Sequence, residues 1–463
     1  MEKINLKKSI RELKITDILT YINVKNLFFV YIFMIFLIDS IRFSLKNPAL
    51  LGTFSYYHAL NSVAQLNLRK FDIYELLLRP NPEILSKVLP LIFSLVLLYF
   101  IYSYLENNLH HVNSKLYVFL LVLNPFFLFL GTVSNSLVFY AMLFFISLYL
   151  YKLKSKNLNI LANFMVFIIS FFSIPTAIFS VIVLSINKLR TGVIISASVG
   201  LVSFILRGVD IISLEISFNS FFNSLIFDLG SRYGMSIFSI ALAIFGILYS
   251  YKNKIRLTLG ILMLLLFSVL AFFVHFHFTF FAGLIIVYFA SIGIEKIVDR
   301  EWQSIFIKEI ALIVIFAGLL FSALSFVNEI SKSSPDKGIV DSLKYLEEIG
   351  IKDSLVLSHS SRGFWIEFYS GLKPFASDLS PLSAKRISSL IFESRDIDST
   401  KELLRTYGIN YVFIDKEMKS GLVWNYPDEG MLFLLQSNET FKRVYSNKNG
   451  DEIWEVTAAV KDN

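Results

Sequence analysis

The sequence predicts a polytopic α-helical membrane protein with a water-soluble α/β domain at its carboxyl end. Three observations carry this expectation. Hydrophobic residues make up 55% of the 463-residue chain and charged ones only 17%, where a soluble protein carries about a quarter. Mean hydropathy is +0.63. Charge is also unevenly spread: Ser333 to Asn463 holds 16 basic and 20 acidic residues, net −4, and the remainder carries +11 within an overall +7.

A bilayer-crossing helix needs about 20 mostly apolar residues, because no backbone polar group can stay unpaired in hydrocarbon. Apolar runs place helices near 26–43, 86–104, 115–132, 135–151, 191–206, 234–250, 256–274, 279–295 and 305–328. The run 158–186 is too long for one span, and Ser173-Ile174-Pro175 divides it in two. About eleven spans result. Three regions follow: an amphipathic amino-terminal segment over 1–25, a transmembrane domain over 26–330 and an α/β domain over 331–463.

Loop charges orient this layout. Basic clusters at Lys3–Lys14, Lys152–Lys156, Lys188–Arg190 and Lys252–Arg256 all fall on one side of an eleven-span chain, which the positive-inside rule makes the cytoplasm. The amino terminus is then inside and the α/β domain outside. Excess positive charge in short loops accounts for the pI near 9.1, so no nucleic-acid partner is implied. With no cysteine, disulfides, thiolate metal sites and cysteine nucleophiles are excluded. Two long outer loops, 44–87 and 207–234, would cap a cavity on the outer face.

Beyond the Ser333-Ser334-Pro335 linker, helix and strand patterns alternate. Helices are expected over 339–349, 383–393, 398–406 and 428–436, and strands over 354–357, 411–414, 441–445 and 452–456. The Asn449-Gly450 pair predicts a hairpin turn between the last two strands. Such an order reads as a layered domain with a mixed sheet.

Several segments in this order carry a family likeness. They are Asn47-Pro48 with Gly52-Thr-Phe-Ser-Tyr56-Tyr57-His58, then Asn124-Pro125 with Ser134-Asn135-Ser136, and Thr176 after Pro175. His275-Phe-His277-Phe278, the run Val356 to Trp365 and Asp415-Lys416-Glu-Met418 complete the set. Together they resemble the GT-C superfamily of polyprenyl-phosphate-dependent glycosyltransferases, and within it the archaeal relatives of the oligosaccharyltransferase catalytic subunit. The resemblance implies outer-loop acids that hold a divalent cation, Mg²⁺ or Mn²⁺, which neutralises the leaving phosphate. The chain departs from that pattern at three places. The first-loop acid position reads Thr53-Phe54-Ser55, the second-loop motif reads Ser134-Asn135-Ser136, and the Trp-Trp-Asp position reads His359-Ser360-Ser361.

Other residues must then carry any chemistry. The topology places Asp39, Asp72, Glu75, Glu83, Asp210, Glu215, Asp228 and Glu329 on the outer side. Among these, Asp39 at the outer end of the first helix is the best candidate for catalysis and metal binding, although a plain interfacial acid accounts for it slightly better. Glu215 resembles a fifth-loop glutamate of the family and is a second catalytic candidate. Arg232, His277, Tyr57 and His58 are candidates for binding substrate or the lipid phosphate. The leading function is transfer of a sugar from a polyprenyl phosphate in the bilayer to an outer-face acceptor. A catalytically inactive relative that binds a lipid-linked glycan or a partner protein is the alternative, and a transporter the third.

Overall fold

The computed structural model describes residues 23–47, 49–63, 72–108, 113–207, 226, 234–250, 254–273, 277–437 and 439–457. The chain divides into two compact units. The first comprises residues 1–41, 66–74 and 87–331, and the second residues 42–65, 75–86 and 332–463. The expected amino-terminal amphipathic segment lies outside the described residues.

The first unit is helical. It is built mainly from α1 (Val24–Ser44), α4 (Pro82–Asn108), α5 (Ser114–Val122), α6 (Pro125–Thr132), α7 (Ser136–Lys152), α8 (Lys156–Phe172) and α9 (Ile174–Ile186). It continues through α10 (Arg190–Arg207), α11 (Ile237–Tyr249), α12 (Lys254–Phe273), α13 (Phe278–Asp299) and α14 (Ile305–Ser331). Each expected apolar segment coincides with one of these helices or, over 115–132, with the pair α5 and α6. Helices α1, α4, α13 and α14 are long and apolar enough to cross a membrane, and α5 with α6, bent by 67°, would make a fifth span. Six shorter apolar helices accompany them. The expected break falls at Ser173, whose hydroxyl receives the backbone N–H of Thr176 while Pro175 sits in the first turn of α9.

Apolar side chains cover the outside of these helices. Phe29, Phe33, Phe36, Phe306 and Phe321 are all more than half exposed, an arrangement that is stable against lipid and not against water. The protein is an integral membrane protein. Inside, packing is aromatic, with Phe179 and Phe281 stacked at 4.3 Å. Helices α11 and α13 meet backbone to backbone: a Cβ on Gly246 would stand 1.9 Å from the Phe289 carbonyl oxygen, and one on Gly293 2.2 Å from that of Leu242.

The second unit carries a five-stranded mixed sheet. Its strands are β1 (Leu355–Leu357), β2 (Lys373–Pro374), β3 (Ile409–Ile414), β4 (Phe441–Ser446) and β5 (Glu452–Val456), in the order β2-β1-β3-β5-β4. The first three are parallel, and β3, β5 and β4 are antiparallel. The β4–β5 hairpin turns through Asn449-Gly450, with Gly450 at φ +93°. Alternation along β3 sends Tyr411 and Phe413 into one core and Val412 and Ile414 into the other. The helices that cover the faces are α15 (Lys337–Ile349), α16 (Gly363–Ser370), α17 (Leu382–Glu393), α18 (Ile397–Thr406) and α19 (Gly430–Leu434).

One early segment also belongs to this unit. Helix α2 (Gly52–Val63) places buried Tyr56 against Phe368 at 5.2 Å, with its hydroxyl 3.1 Å from that of Tyr369. Arg42 donates to the carbonyls of Ala49 and Ser333, and Asn47 to that of Pro335. These bonds tie the linker to the segment before α2.

Candidate functional site

In the first unit, polar groups gather at the turn before α7. Asn135 caps that helix, its Oδ1 accepting from the Leu137 N–H at 2.8 Å. Its amide nitrogen, in a side chain only 1% exposed, has no hydrogen-bond partner. Leaving such a donor unsatisfied costs about 1–3 kcal/mol. Asn135 lines a small pocket with Phe126, Phe129, Leu130, Phe280, His277 and Thr279.

Next to Asn135, the Ser134 hydroxyl meets that of Tyr74 at 2.6 Å, and both side chains are buried. Burial pushes the Tyr74 phenol well above its ordinary value, so it stays protonated. Two residues earlier, Asp72 accepts from the Tyr74 N–H at 2.9 Å and from the Tyr140 hydroxyl. Tyr74 thus links the two groups, its N–H on Asp72 and its hydroxyl on Ser134, while the Tyr140 hydroxyl holds the same carboxylate.

In the second unit, Tyr57 packs its ring on Phe364 at 5.4 Å. His58 is buried with its Nδ1 3.3 Å from Glu75 Oε1, the oxygen that also accepts from Asn61 at 3.0 Å. Glu75 belongs to the short helix α3 (Ile73–Leu78).

A further cluster stands at the carboxyl ends of β1 and β3. Arg362 is almost fully buried, donates to Asp415 at 2.6 Å and also pairs with Glu417. Its guanidinium lies 4.7 Å from the centre of the Trp365 ring. Although burial opposes the charge, Asp415 and Glu417 hold the guanidinium's pKa above its ordinary value. His359, half-buried beside it, is pushed below its usual range by burial and by Arg362.

Solved structures share this architecture. The apo oligosaccharyltransferase of Archaeoglobus fulgidus superposes with a TM-score of 0.54 at 10% identity, over 92% of this chain and 74% of that one. The same organism's AglB, solved with an inhibitory peptide and a dolichol-phosphate, gives 0.51 at 11% identity, over 94% and 75%. A mycobacterial arabinofuranosyltransferase, AftD, gives 0.55 at 12% identity over 94% of this chain, which spans 40% of AftD. The chain shares its fold with these glycosyltransferases. No protein-family model and no curated protein sequence matches the chain.

On this fold the sequence-predicted residues fall in different places. Tyr57 and His58 sit together on α2, and His277 joins Asn135 in the pocket of the first unit. Asp39 is exposed on α1. Glu215 and Arg232 lie outside the described residues, as does most of the loop 207–234. Among the described residues no three His, Asp or Glu side chains group as metal ligands. Sequence reasoning passed over Asp72, Asn135 and Arg362 as site residues. The available signals were a carboxylate two residues before a tyrosine in the first outer loop and a lone arginine before Gly-Phe-Trp.

Proposed function

We propose that the protein is a membrane glycosyltransferase that takes a sugar from a polyprenyl phosphate and passes it to an acceptor at the outer face. The observation that carries this reading is the carboxylate of Asp72, held by the Tyr140 hydroxyl and the Tyr74 N–H, with the Tyr74 hydroxyl on Ser134. Transfer breaks the bond between the anomeric carbon and the phosphate oxygen and forms one to the acceptor oxygen. The acceptor's proton needs a base, and Asp72, oriented by Tyr140 and the Tyr74 N–H, supplies it. The Asn135 amide and His277 meet the phosphate. The orientation that goes with this reading puts the amino terminus in the cytoplasm and the sheet-bearing unit outside.

The reading is tested with purified protein and a radiolabelled polyprenyl-phosphate sugar. Wild type transfers label to an acceptor fraction, and Asp72→Asn lowers the rate by at least 100-fold with donor binding retained. Donor binding without any transfer by the wild type would instead fit a non-catalytic, glycan-binding relative.

A further inference from the structure

Two basic turns meet at one end of the first unit. Lys152, Lys154 and Lys156 lie where α7 gives way to α8, and Lys188 and Arg190 where α9 gives way to α10. Helices α8 and α10 pack along each other. A Cβ on Gly192, in the first turn of α10, would stand 2.9 Å from the Tyr151 hydroxyl and 3.1 Å from Leu184 Cδ1. The start of α10 therefore lies against the ends of both α7 and α9, and the two turns are neighbours. All five cations are exposed.

The turns have fixed backbones. Lys154 and Lys188 take the left-handed conformation, with φ of +52° and +57°. The N–H of Lys154 meets the Tyr151 carbonyl and that of Lys188 the Ser185 carbonyl, so each residue closes the helix before it. Asn187 donates to the Tyr104 hydroxyl of α4 at 3.1 Å, and the Tyr151 hydroxyl donates to Asn163 of α8. Cations carried on such turns need little backbone ordering when they bind.

Their charge is not balanced nearby in the sequence. No carboxylate occurs from Lys152 through Arg207. On α4, Glu106 stands two residues past Tyr104 and accepts from the Tyr102 hydroxyl at 2.8 Å. The turn between α13 and α14 is built differently: Glu295, Asp299 and Glu301 accompany Lys296 and Arg300 there, and Lys296 pairs with Asp299. The positive-inside rule accounts for a basic turn taken singly. It does not require two such turns to be packed together without counter-charge.

The apolar surface begins next to these cations. Ile160 follows Lys156, and Ile194 follows Arg190, by about one helical turn, and both are exposed, as are Phe164 and Phe167 on α8. A ligand with a negative head and hydrocarbon chains matches both parts of this surface. We propose that the joined turns bind the phosphate headgroup of an anionic phospholipid, whose chains lie along the exposed apolar side chains of α8 and α10. This site is separate from the chemistry at Asp72, and its test requires no sugar transfer.

The test titrates the full chain in neutral detergent with phosphatidylglycerol or with phosphatidylcholine of the same acyl chains, and counts retained lipid by native mass spectrometry. Wild type retains phosphatidylglycerol in preference, and the preference falls as ionic strength rises. Lys154→Gln combined with Lys188→Gln weakens phosphatidylglycerol binding by roughly tenfold or more and leaves phosphatidylcholine unchanged. Lys156→Gln combined with Arg190→Gln, at ordinary helical positions, does the same. Lys296→Gln, in the turn of mixed charge, leaves both lipids unchanged. Equal retention of the two lipids by wild type would overturn the proposal, as would undiminished phosphatidylglycerol binding in both double variants. Displacement of the lipid by inorganic phosphate alone would assign the cations to a soluble anion and overturn it as well.

Discussion

Arg362 donates its Nε–H to Asp415 at 2.6 Å where neither side chain meets solvent, while its second partner, Glu417, is half exposed. The two carboxylates therefore differ in weight. Removing one member of a buried pair strands the other's charge and costs about 3–5 kcal/mol, whereas a solvent-exposed ion pair contributes about 0–1 kcal/mol. Asp415 also accepts from the Met418 N–H at 2.8 Å. Asp415→Ala is expected to lower the denaturation midpoint of the purified protein strongly and Glu417→Ala only slightly. Equal shifts would contradict this ranking.

The pH response of His359 has a defined sign. Burial and Arg362 push its pKa below the ordinary 6.5, and Asp378 pulls against them. Neutral imidazole is then the folded form, so its contribution to stability is complete above pH 6.5 and is lost as pH falls through the lowered pKa. Histidine-selective NMR should give a midpoint below 6.5 for this residue, moved further down by Asp378→Asn. A midpoint above 6.5 would refute the environment described.

Helices α11 and α13 approach too closely for any side chain at Gly246 or Gly293, since the added carbon meets a carbonyl oxygen rather than a movable side chain. Gly246→Ala and Gly293→Ala should each destabilise the first unit by about 1–3 kcal/mol or more. The readout is monodisperse yield and thermal midpoint in detergent, and wild-type behaviour of both variants would contradict the packing.

Much of this architecture was legible in the sequence, and the reasons are specific. Apolar runs identify the helices of the first unit because lipid enforces composition on each segment separately, and Ser173-Ile174-Pro175 carries its own break. In the second unit, Gly350, Gly408 and Asn449-Gly450 punctuate the strands. Helix α16 was missed because Gly363-Phe-Trp-Ile-Glu-Phe-Tyr-Ser370 is short and buried over most of its surface, which erases periodicity. Strand β2 has two residues and one of them is proline. The site was harder to read. Asp72 was one outer acid among eight, and what distinguishes it is a phenol 68 residues later, on a helix whose sequence shows only an apolar face. Arg362 gains its meaning from Asp415 in the same way, 53 residues away.

Asn135 separates two roles that one substitution can resolve. Its oxygen caps α7, and its nitrogen is buried without a partner in a residue that lines the pocket. Asn135→Asp keeps the cap and replaces the donor with a negative charge. Since a hydrogen bond to a charged group contributes about 1.5–3 kcal/mol, KM for a polyprenyl-phosphate donor should rise roughly 10- to 100-fold with the thermal midpoint unchanged. An unchanged KM would remove Asn135 from the donor site.

The most direct test is the rate of sugar transfer from a labelled polyprenyl phosphate by wild type and by Asp72→Asn, measured beside Asp39→Asn. The account predicts transfer by wild type, at least a 100-fold loss in Asp72→Asn, and near-normal transfer in Asp39→Asn, whose side chain is exposed on α1. Undiminished transfer by Asp72→Asn would contradict it.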